Sequence, residues 1–536
     1  MPGLLQTVPA PRGTAAFDAG TRAVMEDIAF AGAAAGRDDH NPVPAAPYAT
    51  TIGSALPITA PIQHVIEIVR ENRTFDQQLG DVARDTGRQI DANADYAIFG
   101  REVTPNTHAF VGDIAPTSAI SDPAYATSDN FYSDGEASID GHWWTSSADA
   151  NDYIQKSWRQ YYSPRNHPYD PTAPIAAPHN CSIFQSALQR RSDTAGLFTF
   201  RDYGELVGLA NPQLNPPSLT GGAPDIRALC KAIPAADFDP LGAAASTGTV
   251  GGGAPMEPVG TNLNLIKDNR QNAAAFLQDI GLDRAGNVVN PAASLRNFSY
   301  IIMGGDHTAG LQSGGNTPRS RVAQNDAGIA LIVQALSHST YWRSTAIFIM
   351  EDDSQDGLDH EDGHRNQLYV VSPYAKHTGT DGLPGYVAHR HYSQASVLKT
   401  IDLLMGFPYL STYDQNAPAL YDLFQDKDSD GSDPLQQQQD PQHTLTAQDL
   451  RPYTVQPEPG FIDESAAQYA AANPAMADVL KAETKRLDLS GIDRAGPELE
   501  IINWQMARPN SPVPAQLLRE RRVWAARQGT AADGDG

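Results

Sequence analysis

The chain has 536 residues, of which 40% are hydrophobic, and its 63 acidic and 38 basic residues give a formal net charge of −25. This composition excludes an intrinsically disordered chain, because the apolar and aromatic residues suffice for a packed core. The negative field repels polyanions, so we expect no nucleic acid partner. An enzyme that handles phosphate remains compatible with this charge, since clustered carboxylates can hold divalent cations that reverse the local potential.

The ends of the chain and its cysteines give expectations about its location. No run approaches the roughly 20 apolar residues that span a bilayer, so we expect no transmembrane segment. The first residues lack the basic region and apolar core of a signal peptide. We expect a periplasmic or secreted protein whose signal peptide is not present in this chain. Cys181 and Cys230 lie in a stretch rich in Pro, Gly and Asn, where a loop-closing disulfide and two buried thiols both fit the sequence.

An apolar, β-rich segment followed by polar residues occurs three times in the chain. The segments are His64–Val69, Tyr300–Met303 and Ala346–Met350, and Tyr369–Val371 predicts a further strand. Ligands of open α/β sheets bind at the C-terminal ends of the strands, which is where these polar residues lie. The pattern therefore predicts a functional site at this edge of a sheet.

A helix is predicted between the second and third of these strands. In residues 326–336, Ile329, Ile332, Val333 and Leu336 fall on one helical face. A strand, a helix and a strand in this order predict a crossover between parallel strands. We therefore predict an α/β fold with a mostly parallel sheet between helices.

The composition along the chain predicts three regions. An N-terminal arm rich in Ala, Gly and Pro spans residues 1–60, a core domain spans 61–424, and a C-terminal extension packed on the core spans 425–536. Within the core, residues 155–260 are dominated by Pro, Asn, Gly and Ala and predict a loop-rich insertion or lid. In the extension, a helix is predicted near Asp463 to Leu480.

The densest cluster of charge is residues 351–364, with seven carboxylates and two imidazoles directly after an apolar strand. Carboxylates a few ångströms apart do not all ionise cheaply, so water must spread them in an exposed loop or divalent cations must neutralise them. Charge alone leaves both interpretations open. The position at a strand end and the two histidines favour a metal site.

Four motifs follow one another along the chain. They are Glu71-Asn-Arg-Thr-Phe-Asp76, Asp306-His-Thr308, the acidic cluster with His364-Arg365, and Ser372-Pro-Tyr-Ala375. Together they resemble the successive motifs of the phosphoesterase family of bacterial phospholipases C and AcpA-type acid phosphatases, which has an alkaline-phosphatase-like fold. The likeness runs from about Pro61 to Phe424, and it implies that the core domain is a phosphoesterase catalytic domain.

The resemblance implies a metal-dependent phosphoric ester hydrolase. The metal ligands of the family map to Glu71 and Asn72 at the first motif and to Asp352 and Asp353 in the acidic cluster. Oxygen-rich ligands favour Ca, Mg or Mn, whereas neighbouring imidazoles leave Zn or Fe open. The expected cofactor is a divalent metal ion of unspecified identity.

By the same resemblance, the nucleophile maps to Ser138, which would also bind the metal. A hydroxyl bound to a divalent ion loses its proton easily, attacks phosphorus and leaves a phosphoenzyme that water hydrolyses. The chain departs from the family here, since Asp140-Gly141 replaces a Pro-Asn dipeptide, and Ser133 and Thr145 lie close. Without the resemblance, a serine in such a loop is most simply a turn residue that caps a backbone amide.

Several further residues near the motifs are candidates for the site. The candidate catalytic groups, which would bind phosphoryl oxygens, protonate the leaving alkoxide or hold a second metal, are His142, His307 and His360. The candidate additional ligands are Asp306, Asp359 and His364, of which Asp306 and Asp359 would alternatively orient other groups of the site. His389 and His391 are interpreted as surface-loop residues rather than as part of the rim of the site.

A second acidic motif, Asp426–Gly431, matches the first half of an EF-hand calcium loop. The twelfth position of that loop requires a bidentate Glu, and this chain has Gln437 there. A solvated acidic loop is therefore favoured over a structural calcium site.

The sequence is compatible with three functions. The first is a phosphatase that acts on a small phosphorylated substrate. The second is a phospholipase C-type phosphodiesterase that acts on a phospholipid headgroup. Tyr161, Tyr162 and the pair Trp143-Trp144 would form an apolar rim for it, and they fit equally well as core residues. The third is a non-catalytic metal-binding interaction protein, which predicts bound metal without turnover. The sequence does not specify an oligomeric state.

Overall fold

The computed structural model describes residues 62–114, 123–161, 178, 182–204, 268–354, 357–425, 445–487 and 496–528. The predicted N-terminal arm, both cysteines and the EF-hand-like motif lie outside the described residues.

One mostly parallel sheet organises the described part of the chain. The strands are β1 (His64–Arg70), β2 (Ala126–Ser128), β3 (Phe131–Tyr132), β4 (Phe200–Tyr203), β5 (Phe298–Met303), β6 (Thr345–Glu351), β7 (Leu368–Val371), β8 (Tyr386–Ala388) and β9 (Tyr392–Ser393). Seven of them form a sheet in the order β4-β5-β1-β6-β7-β2-β8, and β3 pairs with β9. In the large sheet, β7 is antiparallel to both of its neighbours and the other neighbouring strands are parallel. The predicted α/β fold with a mostly parallel sheet is confirmed.

Helices lie on both faces of this sheet and in the C-terminal region. They are α1 (Phe75–Leu79), α2 (Val82–Thr86), α3 (Pro105–Phe110), α4 (Ser138–Ser147), α5 (Asp152–Tyr161), α6 (Ile183–Asp193), α7 (Asn269–Asp279), α8 (Pro318–His338), α9 (Gln394–Met405), α10 (Thr412–Asn416), α11 (Ala466–Ala472), α12 (Pro474–Thr484), α13 (Gly496–Ala507) and α14 (Ala515–Gln528). Short 3-10 turns occur at Gly304–His307, Thr340–Ser344 and Tyr421–Leu423. Within the described residues, no helix is both long and apolar enough to cross a membrane.

The central strand β1 is buried on both faces. Ile66 and Ile68 contribute to a core cluster that includes Ile329 of α8. Val65 belongs to a second cluster that includes Leu398 of α9. Each fully buried side chain of this kind contributes about 1.5–3 kcal/mol, so both helices are held firmly against the sheet. This packing fixes where the polar residues that follow β1 emerge.

The predicted crossover joins β5 to β6 through α8, and both strands pair with β1. The helix is longer than the predicted 326–336 because it begins after Thr317, whose side chain accepts a hydrogen bond from the Ser320 amide. Pro318 occupies the first helical turn, where the missing N–H costs nothing. Thr317 and Pro318, which mark the start of the helix, lie outside the apolar residues 326–336 from which it was predicted, so the prediction missed the first turns.

Part of the predicted 155–260 insertion belongs to the sheet. Its described residues include α6 and the edge strand β4, which pairs in parallel with β5. Residues 205–260 lie outside the described part of the chain.

The described C-terminal helices pack on the core domain. Ile501, Trp504 and Leu517 lie in one cluster with Val322 of α8 and Leu358. The single helix that was predicted near 463–480 is two helices, α11 and α12, joined at Asn473, which adopts φ −134° and ψ 60°. The following Pro474 disfavours helical geometry at the residue before it, which explains the break.

A group of carboxylates is buried in the core beneath β1. Glu67, Asp402 and Asp414 are each at most 1% exposed. Asp414 accepts hydrogen bonds from the Leu410 and Ser411 amides. Neither oxygen of Asp402 has a hydrogen-bond donor among the described residues. Burial and the repulsion of Asp414 raise the pKa of Asp402 well above its usual range.

This pKa shift makes stability depend on pH. Because the folded-state pKa of Asp402 is raised, its bound proton adds to the free energy of unfolding. This contribution is fully present below the unfolded-state pKa of about 3.9. That contribution is lost as the pH rises through the folded-state pKa.

We predict that Asp402→Asn raises the melting temperature at pH 8 by at least about 2 °C. Asparagine has nearly the same volume and no charge, and its amide can donate to Asp414. Calorimetric melts from pH 5 to pH 9 should show a flatter dependence on pH for the variant. Asp478→Asn, at an exposed position of α12, is the control and should not change the profile. A lower melting temperature of Asp402→Asn at pH 8 would contradict this account.

Candidate active site and metal centre

The C-terminal ends of β1 and β6 bring two polar segments side by side. The two strands pair in parallel along their length, so Glu71 and Asn72 leave β1 next to Asp352 and Asp353. The Asn72 Nδ2 donates to Asp353 Oδ1 at 2.6 Å. All four residues are at most 1% exposed. The three acids Glu71, Asp352 and Asp353 are called the metal-side carboxylates below.

Ser138 lies in the first turn of α4 and contacts two of the metal-side carboxylates. Its Oγ is 2.9 Å from Glu71 Oε1 and 2.7 Å from Asp353 Oδ2. A hydroxyl has one proton, so it can donate to only one of these oxygens at a time. The Ser138 hydroxyl thus lies within hydrogen-bond distance of one oxygen of Glu71 and one oxygen of Asp353, which belong to two other segments of the chain.

The turn that carries Ser138 is fixed by the dipeptide Asp140-Gly141. The Asp140 carboxylate accepts hydrogen bonds from the Glu136 and Ala137 amides, at 3.0 and 2.9 Å. Burial raises the pKa of Asp140 to about 6. A Cβ on Gly141 would lie 2.4 Å from the Asp352 carbonyl oxygen. The dipeptide Asp140-Gly141 thus has a structural role, because glycine lets α4 approach the end of β6.

The two alternative hydroxyls have other contacts. The Thr145 Oγ1 is 2.8 Å from the Tyr300 hydroxyl and donates to the His142 carbonyl. The Ser133 Oγ donates to the His364 carbonyl at 3.2 Å. These contacts favour Ser138 as the hydroxyl of the site.

Arg70 and Asp306 lie directly behind the metal-side carboxylates. Asp306 Oδ1 accepts a hydrogen bond from the Glu71 amide at 3.1 Å. Its other oxygen is 3.0 Å from Arg70 Nη2, and Arg70 Nη1 is 3.1 Å from Glu351 Oε1. Both oxygens of Asp306 thus have partners in the protein, one of which is the Glu71 amide. This favours a role of Asp306 in orienting Glu71 over a role as a metal ligand. Burial raises the pKa of Glu351 well above its usual range, although Arg70 opposes the shift.

His142 is the histidine that the structure brings to the metal-side carboxylates. It lies one helical turn after Ser138, and its Nε2 is 3.6 Å from Asp352 Oδ2 and 4.0 Å from Glu71 Oε2. It is 3% exposed.

His360 and Asp359 belong to a neighbouring network. The His360 Nδ1 is 2.6 Å from Asp76 Oδ2, and Asp359 accepts a hydrogen bond from Arg365 at 2.9 Å. Asp76 Oδ1 also accepts hydrogen bonds from Arg365 and from the Asn93 amide. Cationic and amide donors thus already surround both carboxylates, which favours a structural role for this network.

His307 lies in the turn after β5, and His364 lies in the acidic segment after β6. His307 ends the 3-10 turn after β5, and its carbonyl accepts a hydrogen bond from Arg73 at 2.6 Å. The carboxylates of Glu136 and Asp362 raise the pKa of His364 to about 9. Its Nδ1 is 2.7 Å from Asp362 Oδ1 and its Nε2 is 3.7 Å from Glu136 Oε1. Both ring nitrogens thus face carboxylates other than the metal-side carboxylates, which favours an ion-pair role for His364 over that of an additional ligand.

A divalent cation fits the metal-side carboxylates. Three buried like charges at short range are costly unless a positive charge offsets them. Carboxylate oxygens, the Ser138 hydroxyl and the Asn72 side-chain oxygen are ligands that divalent cations accept. Within the described residues, one group of acids and imidazoles with the mutual spacing of metal ligands is Glu71, His142 and Asp352, and the others contain His360.

Two amides that the sequence reasoning did not identify hold the strand ends in place. The Gln394 Nε2 donates to the carbonyls of Glu351 and Asp352, and its Oε1 accepts a hydrogen bond from the Asp134 amide. The Asn366 Nδ2 donates to the Asp353 carbonyl at 3.0 Å. Gln394 opens α9 directly after β9, and only its position at a junction of two elements distinguishes it in the sequence.

No protein-family model matches the sequence, and no curated protein is significantly similar to it. Solved structures do match. A protein of the alkaline phosphatase superfamily from Vibrio parahaemolyticus is 12% identical, with 75% of this chain and 78% of that chain covered and a TM-score of 0.38. The phosphonate monoester hydrolase from Silicibacter pomeroyi is 11% identical, with 69% and 78% covered and a TM-score of 0.38. The lipoteichoic acid synthase LtaP from Listeria monocytogenes is 10% identical, with 66% and 76% covered and a TM-score of 0.34. Function therefore has to be inferred from the site itself.

We predict that Gly304→Ala lowers the affinity of the site for its metal by about 10–100-fold. A Cβ at this position would lie 2.7 Å from Glu71 Oε2, so it must displace that carboxylate. The displaced atoms are the end of one side chain, and the melting temperature should change by less than about 3 °C. Titration of the metal-free protein against a chelating dye measures the affinity. Gly460→Ala, where a Cβ meets open space, is the control. Equal metal affinities of the two variants would show that Gly304 does not position Glu71 for the metal.

Proposed function

We propose that the protein is a metal-dependent phosphoric ester hydrolase of the alkaline-phosphatase-like superfamily with Ser138 as its nucleophile. The observation that carries the proposal is the position of Ser138 Oγ between Glu71 Oε1 and Asp353 Oδ2, at 2.9 and 2.7 Å. A hydroxyl at the first turn of a helix, buried against carboxylates that suit a divalent ion, is the arrangement that metal-activated nucleophilic attack requires. The ordered sequence motifs support phosphoric esters as the substrate class.

When bound, the metal would lower the pKa of the Ser138 hydroxyl and offset negative charge on the phosphoryl oxygens. The metal-side carboxylates would hold it, together with the side-chain oxygen of Asn72. The Ser138 proton passes to a carboxylate oxygen within hydrogen-bond distance, Glu71 Oε1 or Asp353 Oδ2. The Ser138 Oγ then attacks phosphorus, the alkoxide leaves, and water hydrolyses the phosphoserine.

One further feature favours an anionic substrate at this position. The N-terminal end of α4 carries partial positive charge next to Ser138.

A phosphatase acting on monoesters is our first choice, and a phospholipase C-type phosphodiesterase is the alternative. The alternative was connected with an apolar rim that includes Trp144. This side chain is 8% exposed and packs edge to face at 5.0 Å against Tyr413, which is 54% exposed. Trp144 is therefore covered rather than displayed at a rim, whereas Trp143 is partly exposed.

We predict that Ser138→Ala lowers kcat by at least about 1,000-fold, because no other group replaces the nucleophile. The substrates are p-nitrophenyl phosphate and bis-p-nitrophenyl phosphate, each with added divalent metal and with a chelator. Mass spectrometry of acid-quenched wild type should find phosphate on Ser138. Ser133→Ala is the matched control and should keep activity within about tenfold, since its hydroxyl contacts a backbone carbonyl.

Each outcome separates the competing functions. Full activity of Ser138→Ala would exclude this residue as the nucleophile. Faster cleavage of the diester than of the monoester would favour the phosphodiesterase. Tightly bound metal with no turnover of either substrate would favour a non-catalytic metal-binding protein.

A further inference from the structure

We propose that His142 is itself a ligand of the metal held by Glu71 and Asp352, and that its imidazole makes the site selective for Mn, Fe or Zn over Ca and Mg. This inference rests on the proposed function only in so far as both require a metal at this site. It assigns His142 to metal binding rather than to acid catalysis or a second metal.

The helix places His142 on the same side as the nucleophile. Residues four apart in a helix share one face, about 5–6 Å apart. Ser138 and His142 stand in this relation on α4. The Ser138 Oγ contacts Glu71 Oε1, and the His142 Nε2 faces Glu71 Oε2. The two oxygens of one carboxylate thus face two different groups of α4.

The distances suit a shared ion better than hydrogen bonds. Nε2 lies 3.6 Å from Asp352 Oδ2 and 4.0 Å from Glu71 Oε2. Both separations are too long for an N–H···O hydrogen bond. Two ligand atoms that are each about 2.1 Å from one ion lie about 3.0 Å apart at a right angle and about 4.2 Å apart when opposite. The observed separations fall in this range without movement of a side chain.

Burial argues against a role in protonating the leaving group. His142 is 3% exposed, and its Nε2 faces the metal-side carboxylates. In an in-line displacement, the leaving oxygen lies on the far side of phosphorus from the nucleophile. A general acid has to reach that oxygen, whereas His142 lies one helical turn below Ser138 on the nucleophile side.

The chemistry of the ligand set gives the class of metal. Calcium and magnesium take oxygen ligands almost throughout. Manganese, iron and zinc accept an imidazole beside carboxylates, and the nitrogen raises their affinity relative to the two hard cations. A buried Glu-Asp-His group therefore predicts a transition metal in the purified protein.

The test uses full-length protein loaded with Mn²⁺ and pulsed electron paramagnetic resonance, which detects nitrogen bonded to manganese independently of turnover. Wild type should show coupling to one histidine nitrogen, and growth on ¹⁵N-labelled histidine should change its frequency. His142→Gln should lose the coupling and bind Mn²⁺ and Zn²⁺ at least about tenfold more weakly. His338→Gln, at the exposed end of α8, is the control and should keep both properties.

Nitrogen coupling that persists in His142→Gln, or a manganese signal without histidine coupling in wild type, would overturn the inference. If His142→Gln does not fold, labelled His360→Gln decides, because the other groups of candidate ligands among the described residues contain His360. Coupling that persists in this variant supports His142, and coupling that is lost overturns the inference. Phosphoester turnover without nitrogen coupling would refute this inference and leave the proposed function standing. Nitrogen coupling without phosphoester turnover would support this inference and contradict the proposed function.

Discussion

Negative charge buried at the ends of β1 and β6 is the constraint on which the site depends. One part of this charge is offset within the protein, because Arg70 lies 3.0 Å from Asp306 and 3.1 Å from Glu351. Removing that guanidinium would leave the buried Asp306 without its counter-charge, at a cost of about 3–5 kcal/mol. The metal-side carboxylates form the other part, and a divalent cation suits them. The ends of β1 and β6 therefore carry one set of acids that Arg70 pairs within the protein and a second set, the metal-side carboxylates, that suits a metal ion.

The surrounding elements hold this charged edge in a fixed geometry. Asp140 and Gly141 set the turn of α4, and Gln394 ties the carbonyls at the end of β6 to α9. Asn366, two residues before β7, donates to the Asp353 carbonyl just after β6. Each contact joins a different element to the same point, so the position of Ser138 depends on the whole sheet edge rather than on one loop.

Sequence periodicity was enough for the α/β class and the central strands, and the motifs named the residues that converge at Glu71 and Asp353. Short apolar runs ending in polar residues identified β1, β5 and β6, because a buried parallel strand has that local signature. The antiparallel direction of β7 has no local signature, since pairing partners are chosen by tertiary packing. The roles of the histidines were equally hidden. His360 bonds to Asp76, 284 residues away along the chain, and no spacing in the sequence encodes such a contact.

The central claim is that the metal-side carboxylates and Ser138 surround one divalent metal ion. Anomalous scattering from a crystal of the purified protein, collected on both sides of the absorption edge of the metal found by elemental analysis, tests it directly. The account predicts an anomalous peak within about 2.0–2.6 Å of oxygens of Glu71, Asp352 and Asp353, with the Ser138 hydroxyl in the same coordination shell. A fully metal-loaded crystal with its peak elsewhere, or with Ser138 directed away from the ion, would contradict it.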